Sequence, residues 1–543
     1  MAFFHRRMLK RIAVVQTHPV TVQRNIKVPM PDGVELLTDL YLGNETVGAP
    51  VIMIRSPYGR SVLFAAATAY PLASQGFNVV MQSCRGTFGS SGTFDPHHDE
   101  QRDGLATIAW IKEQIWYGGS IGTFGMSYLG YTQWAVAAAA GPEVKAMAMQ
   151  VTMADFSQMT YSGNSFALEN ALSWTQMMSR MRQPGLGMLR LMMSHLLGIG
   201  RIRRRQWLTL PVASMDQKVV GEHVNFWQDW VKHDSADDSW WAPMNFRTSI
   251  GEFARPISMV AGWFDIFLPW QMQDFMALRK AGCESRITIG PWRHTDAGLA
   301  HAGMHDAIDW FSRHLLGKKG SSPDPKPVKL YVIGANEWRY FDAWPPRESV
   351  TESWYLQPQR KLLDRLASDS QADRYRYDPA DPTPSVGGPS LEGTPFSVDN
   401  TELEARPDVL TYTSEPLPQQ RDIVGPVAAE LYISSSAPSA DYFVRLCDVD
   451  TRGVSRNICD GLQRVKIEPT GAPQCLRVEL WPTAFRIAPG HRIRVQISSG
   501  AFPRWARNLG GAEPGLQTTE LCSASHFIHH SPTCPSAVIL SFL

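Results

Sequence analysis

A serine at position 127 lies in a glycine-rich segment that could present a nucleophile. The segment reads Gly122-Thr123-Phe124-Gly125-Met126-Ser127-Tyr128-Leu129-Gly130 and falls between an apolar run and a helical pattern. A sharp turn from strand to helix of this kind leaves the serine hydroxyl exposed above a sheet. The N–H groups that open the helix would face negative charge developing on an attacked carbonyl. The G-x-S-x-G pattern requires glycine at 129, where this chain has leucine, so a plain turn with Ser127 as a helix N-cap stays open.

A serine hydroxyl needs a base before it can act as a nucleophile. In α/β-hydrolases an acid and then a histidine follow the serine, each on a loop at the carboxyl end of a strand. Here one apolar run ends in Asp265, and another ends in His294, 29 residues later. Taken singly, Asp265 would be interpreted as a solvated loop acid and His294 as a capping or surface histidine. Their order and placement together favour a catalytic pair.

Elements that could position these residues follow from the hydrophobic pattern. Residues 22–42 predict a hairpin, and from 51 to 151 short apolar runs alternate with helical patterns. Leu105, Ile108, Ile111 and Ile115 share one face of a predicted helix. Strand-like runs resume at 257–261 and 286–289. This order predicts a parallel sheet with helices on both faces.

The remaining chain divides by pattern into three further parts. Residues 155–245 show helical periodicity without strand-like runs, and 317–325 have linker composition. Beyond 326 the period becomes two, which is typical of an antiparallel sandwich, while 357–393 predict an extended surface stretch. We therefore expect an α/β core over 1–154 and 246–325, a helical insertion over 155–245 and an all-β domain over 326–543.

Composition argues against several classes of protein. The 543 residues carry 52 Lys plus Arg and 51 Asp plus Glu, a net charge of +1 that gives little support to a nucleic-acid or membrane-surface partner. No window of 18 uncharged apolar residues predicts a membrane span. Seven scattered cysteines without a CxxC pair argue against a zinc ribbon or redox dithiol and favour a reducing compartment.

The amino-terminal segment bears on localisation. Residues 1–31 contain no acid and six basic residues, which is half of an organelle transit signature, but the segment lacks serine. We expect a cytoplasmic protein, with a cleaved targeting segment as the alternative.

Four motifs carry a resemblance to a known family. They are Ser56-Pro57-Tyr58, Gly125-Met126-Ser127-Tyr128-Leu129-Gly130, Gly262-Trp263-Phe264-Asp265 and Gly290-Pro291-Trp292-Arg293-His294. Together they resemble the cocaine esterase-like family, which shares the X-Pro dipeptidyl-peptidase (S15) fold and shows leucine at the position of Leu129. The resemblance runs nearly end to end and implies an α/β-hydrolase core with a helical cap insertion and a carboxyl-terminal jelly roll.

The resemblance also implies roles for individual residues. It implies Ser127 as nucleophile, His294 as general base, Asp265 as the group that orients His294, and an oxyanion hole made by the Tyr58 hydroxyl and the Tyr128 N–H. Without the family, Tyr58 would be interpreted as a sheet-edge aromatic. No metal or organic cofactor is expected.

Two aromatic residues match pocket positions of the relatives. Phe267 and Trp174 are expected to bind an apolar acyl group, and core packing is the alternative for both. Where relatives carry an aspartate before Arg-Gly, this chain has Cys84, whose use as a rival nucleophile we do not favour because the sequence shows no activating environment. Histidines at 97–98 and at 526, 529 and 530 do not have the spacing of a metal site.

The sequence therefore predicts a serine hydrolase that cleaves a small-molecule carboxylic ester or amide through an acyl-enzyme. An acyltransferase, or an aminopeptidase or α-amino-acid ester hydrolase using Asp155, Glu169 or Glu222 to bind an amine, would carry the same site. A non-catalytic protein that binds ligands through the jelly roll is the alternative from another class. Formation of a homo-oligomer is left open.

Overall fold

A computed structural model describes residues 12–43, 48–182, 206–253, 255–318, 326–366, 368, 370–391, 395–469, 471–511 and 515–543. The predicted linker falls largely outside these residues, and so do residues 1–11 of the basic amino-terminal segment and part of the predicted helical insertion.

The chain forms two compact units. The first contains the described residues of Met1–Phe156, Arg180–Gly187 and Trp240–Val328, and the second contains those of Ser157–Ser179, Met188–Ser239 and Lys329–Leu543. Most of the helical insertion therefore falls in the same compact unit as the carboxyl-terminal chain. The four-part division made from the sequence stays a prediction.

Eight strands of the first unit form a mixed sheet in the order β1-β2-β4-β3-β5-β6-β7-β8. The pairs β1/β2 and β2/β4 are antiparallel, and the neighbours from β4 to β8 are parallel. The strands are β1 Thr21–Pro29, β2 Glu35–Leu42, β3 Val51–Ser56, β4 Asn78–Ser83, β5 Ile121–Met126, β6 Val144–Gln150, β7 Ile257–Phe264 and β8 Ser285–Arg293. The predicted α/β architecture is confirmed.

Helices enclose this sheet because apolar runs such as β3 and β4 are buried along their whole length. They are Val62–Ala67, Ala69–Ala73, Glu100–Lys112, Tyr128–Ala137, Leu268–Lys280 and Ala297–Leu316. The core packs side chains of β3 and β4 against the last helix through Met304, Trp310 and Phe311. The sequence prediction that placed Ile115 on the buried face of the helix Glu100–Lys112 was wrong. Ile115 follows the end of its helix and is 86% exposed, whereas Ile111 is buried.

The helical insertion begins with Phe156–Thr160, Leu168–Arg182 and Asn225–Lys232. Within its described residues, 155–182 and 206–245, no strand occurs. The predicted helical character of this segment is therefore confirmed for the part that the structure describes.

The carboxyl-terminal chain is built from strands, and the strand pairs within its two sheets are antiparallel. From Val328 they are β9 Val328–Val332, β10 Glu337–Phe341, β11 Val350–Leu356, β12 Leu362–Leu363, β13 Asp373–Tyr377, β14 Leu410–Thr413, β15 Arg421–Ser435, β16 Ser439–Val449, β17 Ser455–Lys466, β18 Gln474–Ile487, β19 Arg492–Ser498, β20 Ala524–His529 and β21 Ala537–Phe542. One sheet has the order β12-β11-β21-β15-β20-β13 with β18 also on β15, and the other has the order β14-β19-β16-β17. Alternation predicted the inward side chains of β19 correctly, since Ile493, Val495 and Ile497 are buried.

The segment predicted as an extended surface, 357–393, contains the strand β13. Its alternate residues Tyr375 and Tyr377 are buried, and it pairs with β20. Only these two apolar residues carry the period of two, which is too few to stand out in a polar, proline-bearing stretch.

Candidate active site

Ser127 lies at the turn between β5 and the helix Tyr128–Ala137. Its backbone has φ of 58° and ψ of −127°, a left-handed conformation that few residues other than glycine adopt. The Ser127 N–H donates to the Gln150 carbonyl on β6 at 3.0 Å, and its own carbonyl accepts from Gly130 and Tyr131. These bonds hold a strained residue at the carboxyl edge of the sheet, where strain is commonly associated with function.

The glycines around Ser127 explain why leucine is tolerated at 129. A Cβ at Gly125 would lie 2.4 Å from the Cβ of Leu129, and a Cβ at Gly130 would lie 2.5 Å from the Cβ of Thr152. The helix therefore approaches the end of β6 most closely at 130. Leu129 itself is buried in the core beneath the sheet. In this chain the close approach that G-x-S-x-G provides at 129 occurs one residue later.

Asp265 and His294 follow the carboxyl ends of the neighbouring strands β7 and β8. The Asp265 carboxylate is buried, with Oδ1 accepting the Phe267 N–H at 2.8 Å and Oδ2 lying 2.6 Å from His294 Nδ1. On the other side of the ring, His294 Nε2 lies 3.0 Å from Ser127 Oγ. The structure thus brings together the three residues that the sequence singled out.

This chain of contacts defines what the group can do. A carboxylate accepts hydrogen bonds only, so Nδ1 carries the proton and Nε2 is left as an acceptor toward the serine hydroxyl. Imidazole within hydrogen-bond reach of a hydroxyl is the geometry that a general base requires.

Tyr58 lies in the loop after β3, beside the turn that carries Ser127. Its N–H donates to Ser56 Oγ at 3.0 Å, and its half-buried ring packs edge-on against the Tyr128 ring with centroids 6.5 Å apart. Arg60, two residues on, anchors the same loop by donating to Asp39 at 3.2 Å. Since β3 and β5 are neighbours in the sheet, the two loops leave it at the same edge.

A buried network on the far side of Tyr128 was missed in the sequence. The Tyr128 hydroxyl donates to Glu100 at 2.8 Å and accepts the His97 N–H at 2.9 Å, and Glu100 is paired with buried Arg55 at 2.8 Å. Burial and the Glu100 charge raise the pKa of the Tyr128 phenol well above its ordinary value. The available signal was Arg55, a charged residue within the apolar run of β3, because a buried charge requires a partner.

Cys84, considered above as a rival nucleophile, belongs to the same buried network. Its thiol is 1% exposed and donates to Glu100 at 3.6 Å. Burial, followed by the Glu100 charge, raises the pKa of the Cys84 thiol well above its ordinary range. A thiol that stays protonated is unreactive. The neighbouring Arg85 pairs with Asp103 at 2.6 Å.

The two predicted pocket residues lie in different units. Phe267 is buried in the first unit, with its ring edge-on to the His294 imidazole and centroids 5.3 Å apart. Trp174 lies in the second unit and packs against Phe226 and Trp230 at 5.6 and 5.8 Å. Substrate contact by either ring stays a prediction.

The histidine clusters are engaged in packing and hydrogen bonds. His97 stacks on Phe156 at 3.7 Å, and His98 packs against Trp240. His526 is buried beside Tyr375, and His530 lies 3.1 Å from Asp373. Among the described residues, no group of three or more His, Cys, Asp or Glu side chains could hold a metal ion.

The sequence also predicted no segment that spans a membrane. No helix in the described ranges combines the length and the apolar character that a bilayer span demands.

Comparison with known proteins identifies the family along both parts of the chain. The model of the X-Pro dipeptidyl-peptidase (S15 family) matches residues 32–296, and that of the X-Pro dipeptidyl-peptidase C-terminal non-catalytic domain matches 322–539. The cocaine esterase of Rhodococcus sp. (strain MB1 Bresler) is 31% identical, over 96% of this chain and 99% of the relative.

Two solved structures share the fold at lower identity. An α-amino acid ester hydrolase superposes with a TM-score of 0.82 at 21% identity, covering 97% of this chain and 98% of the other. An aminopeptidase from a marine sediment archaeon, Thaumarchaeota archaeon, superposes with a TM-score of 0.79 at 22% identity, covering 96% of each chain. With near-complete coverage at 31% identity to the esterase, the chain belongs to the X-Pro dipeptidyl-peptidase (S15) family and is a serine hydrolase.

Proposed function

We propose that the protein hydrolyses a carboxylic ester, and more slowly an amide, through a triad of Ser127, His294 and Asp265. The observation that carries this proposal is the continuous pair of contacts from Ser127 Oγ to His294 Nε2 at 3.0 Å and from His294 Nδ1 to Asp265 Oδ2 at 2.6 Å. An ester is favoured over an amide because the relative at 31% identity is named an esterase.

The proposed reaction has two acyl-transfer steps. His294 Nε2 takes the proton of Ser127 as Oγ attacks the carbonyl carbon, and Asp265 stabilises the imidazolium that forms. The same proton then passes to the leaving alkoxide or amine, and the acyl group remains on Ser127. Water, deprotonated by His294, attacks the carbonyl carbon of this acyl-enzyme. The bond from that carbon to Ser127 Oγ then breaks, Oγ takes the proton back from His294, and the acid is released. No atom outside these side chains, the substrate and water is needed for balance.

The negative oxygen of each tetrahedral intermediate would be stabilised by the Tyr58 hydroxyl and the Tyr128 N–H. Tyr128 is the first residue of its helix, where N–H groups have no acceptor within the helix and the helix dipole is positive. The edge-on packing of the Tyr58 and Tyr128 rings supports a phenol held beside this N–H. Glu100 and the His97 N–H bind the Tyr128 hydroxyl. These contacts involve the side chain of Tyr128, so they do not occupy its backbone N–H.

An apolar acyl group is the proposed specificity. Phe267 supplies a ring against the proposed base, and aromatic rings bind apolar groups through large contact areas. The substrate is then a small molecule whose acid part is bulky.

Labelling with a fluorophosphonate tests the proposal directly, because only an activated serine reacts. We expect stoichiometric labelling at Ser127, loss of label and of ester hydrolysis in Ser127→Ala, and full labelling in the control Ser91→Ala, which changes an exposed serine. Peptide mapping by mass spectrometry locates the label. A label on another residue, or ester hydrolysis that survives in Ser127→Ala, would overturn the assignment.

A substrate panel tests the reaction class. Esters, aminoacyl esters and X-Pro amides should be cleaved with falling kcat/KM in that order. Faster cleavage of X-Pro amides than of simple esters would instead assign a peptidase.

A further inference from the structure

The pairing of β7 with β8 changes register just before the proposed triad residues. From Ile257 opposite Ser285 to Gly262 opposite Gly290, paired residues differ by 28 in number, since 290 − 262 = 28. The next pair is Phe264 opposite Arg293, a difference of 29, since 293 − 264 = 29. One extra residue on β8 is thus accommodated between Gly290 and Arg293, which is a β-bulge.

This bulge decides which residue of β8 stands level with Asp265. With an offset of 29, Asp265 is level with His294, and their side chains are in contact at 2.6 Å. Had the offset of 28 continued, Arg293 would stand level with Asp265. His294 would then be one residue further along, level with Ile266. A rise of about 3.3 Å per residue is larger than a hydrogen bond can absorb.

The Trp292 side chain occupies the space around the bulge. A Cβ at Gly262 would lie 2.2 Å from the Trp292 carbonyl oxygen, and a Cβ at Gly290 would lie 2.6 Å from three carbons of its ring. A Cβ at Gly298, in the first turn of the following helix, would lie 2.7 Å from the indole nitrogen. Glycine at 290 and at 298 makes room for the Trp292 ring, and a larger residue there would displace it. Glycine at 262 makes room for the bulged backbone of β8.

Neighbouring contacts hold both ends of the bulged segment. Pro291 has no N–H and is suited to the position where the ladder is interrupted. The ring of Trp292 also packs against the cluster that contains Val260 and Leu299. Beyond the bulge, the Arg293 N–H donates to the Asp296 carboxylate at 2.8 Å, which closes the turn that contains His294.

We propose that Trp292 is a positioning residue that locks the β8 bulge and thereby keeps His294 level with Asp265. The proposal rests on the proposed triad and adds to it the side chain that sets its geometry. Trp292 acts through the backbone of β8 and needs no contact with substrate. Its loss would let the extra residue move out of the bulge, so that His294 shifts relative to Asp265 and Ser127.

The test compares kcat and KM of Trp292→Leu, Trp292→Phe and wild type on one ester. A displacement of about 1 Å in a catalytic group can cost about a hundredfold in rate, so we expect kcat of Trp292→Leu to fall at least tenfold with KM little changed. Trp292→Phe, which restores an aromatic ring, should recover most of the lost kcat. Gly290→Ala should lower kcat as Trp292→Leu does, because its Cβ displaces the ring.

Trp310→Leu is the matched control. Trp310 is another tryptophan of the first unit, and it is more deeply buried than the partly buried Trp292. It lies near the start of β7, where its indole N–H contacts the Pro256 carbonyl at 3.4 Å. We expect Trp310→Leu to lower Tm while kcat stays within about threefold of wild type, an allowance below the hundredfold of misplacement.

Each outcome decides the proposal. A kcat for Trp292→Leu equal to wild type, or reduced only as much as in Trp310→Leu, overturns it, because then the side chain contributes stability alone. Should Trp292→Leu fail to fold, Trp292→Phe and Gly290→Ala are judged by the same criteria. Ser127→Ala, measured alongside, separates the two proposals: if it retains hydrolysis, the triad is wrong, whereas normal Trp292 variants with an inactive Ser127→Ala overturn only the role of Trp292.

Discussion

The hydroxyl of Tyr128 donates a hydrogen bond to the buried carboxylate of Glu100 at 2.8 Å. The residue next to the proposed nucleophile is therefore tied to an ion pair within the core, since Glu100 also binds Arg55. Ser127 gains a rigid neighbour on its carboxyl side through a contact that involves no catalytic atom.

Tyr128→Phe should destabilise the protein without removing any backbone donor. A hydrogen bond to a charged group contributes about 1.5–3 kcal/mol, and the His97 N–H also loses its acceptor. We expect a loss of that size in the free energy of unfolding by urea. The control is Tyr131→Phe, on the same helix, whose hydroxyl donates to the neutral Met244 carbonyl at 2.9 Å. That neutral bond should contribute only about 0.5–1.5 kcal/mol. Equal losses in the two variants would contradict a charged partner for Tyr128.

Tyr58→Phe should lower turnover while leaving the fold intact. Removing one oxyanion-hole donor costs about 10²–10³ in kcat, because a donor already in place stabilises the charge that develops in the transition state. Pre-steady-state measurement of acyl-enzyme formation checks this, and Tyr340→Phe, an exposed tyrosine of the carboxyl-terminal chain, is the control. An unchanged acylation rate in Tyr58→Phe would remove Tyr58 from the oxyanion hole.

Cys84 should resist alkylation in the folded protein. Its thiol is buried and its pKa is raised well above the ordinary value, so thiolate is scarce at neutral pH. Iodoacetamide should modify the exposed Cys475 first, and Cys84 only after unfolding, as read by mass spectrometry of tryptic peptides. Cys84→Ala should still label with fluorophosphonate. Loss of that label, with Tm unchanged, would reopen the cysteine as a nucleophile.

Acid should destabilise the carboxyl-terminal β domain through His526. Burial lowers the pKa of this imidazole from 6.5 to about 4. The unfolded chain therefore binds a proton below about 6.5 and the folded chain only below about 4, so stability falls as pH decreases through this window and is constant above it. The full difference corresponds to about 3 kcal/mol, of which about 2 kcal/mol is lost between pH 7 and pH 5.

His526→Gln isolates this contribution. The stability of the wild-type protein alone is a poor readout, because Asp274 acts in the opposite direction. Burial raises the pKa of Asp274 to about 6, so its contribution to stability increases as pH falls. We therefore compare wild type with His526→Gln at pH 7 and pH 5 by urea unfolding, and expect their difference to shrink by about 2 kcal/mol at the lower pH. A difference independent of pH would show that His526 titrates normally.

Phe267→Ala should change acyl-group preference more than it changes the chemistry. The wild-type enzyme is expected to cleave esters of bulky acids faster than acetyl esters, and Phe267→Ala should reduce that ratio because an apolar wall is lost. Trp174→Ala tests the second predicted pocket residue in the same assay. A wild-type profile that is flat across acyl chain lengths would contradict an apolar pocket.

Much of the candidate site could be predicted from the sequence because each of its residues directly follows a recognisable apolar run. Ser127, Asp265 and His294 come at the ends of β5, β7 and β8, and carboxyl ends of parallel strands lie at one edge of a sheet. Alternation likewise predicted β19 in the β domain, whose apolar residues Ile493, Val495 and Ile497 are all buried. Alternation did not reveal β13, because only two apolar residues, Tyr375 and Tyr377, carry it there.

What the amino-acid sequence determined by itself was the chemical type of each group and the strand end at which it stands, because apolar periodicity and glycine placement act locally. Only the tertiary structure decided that Glu100 lies beneath Tyr128, and that a bulge at Trp292 brings His294 level with Asp265. Contacts between elements depend on register and on packing across the sheet. Distance along the chain encodes neither.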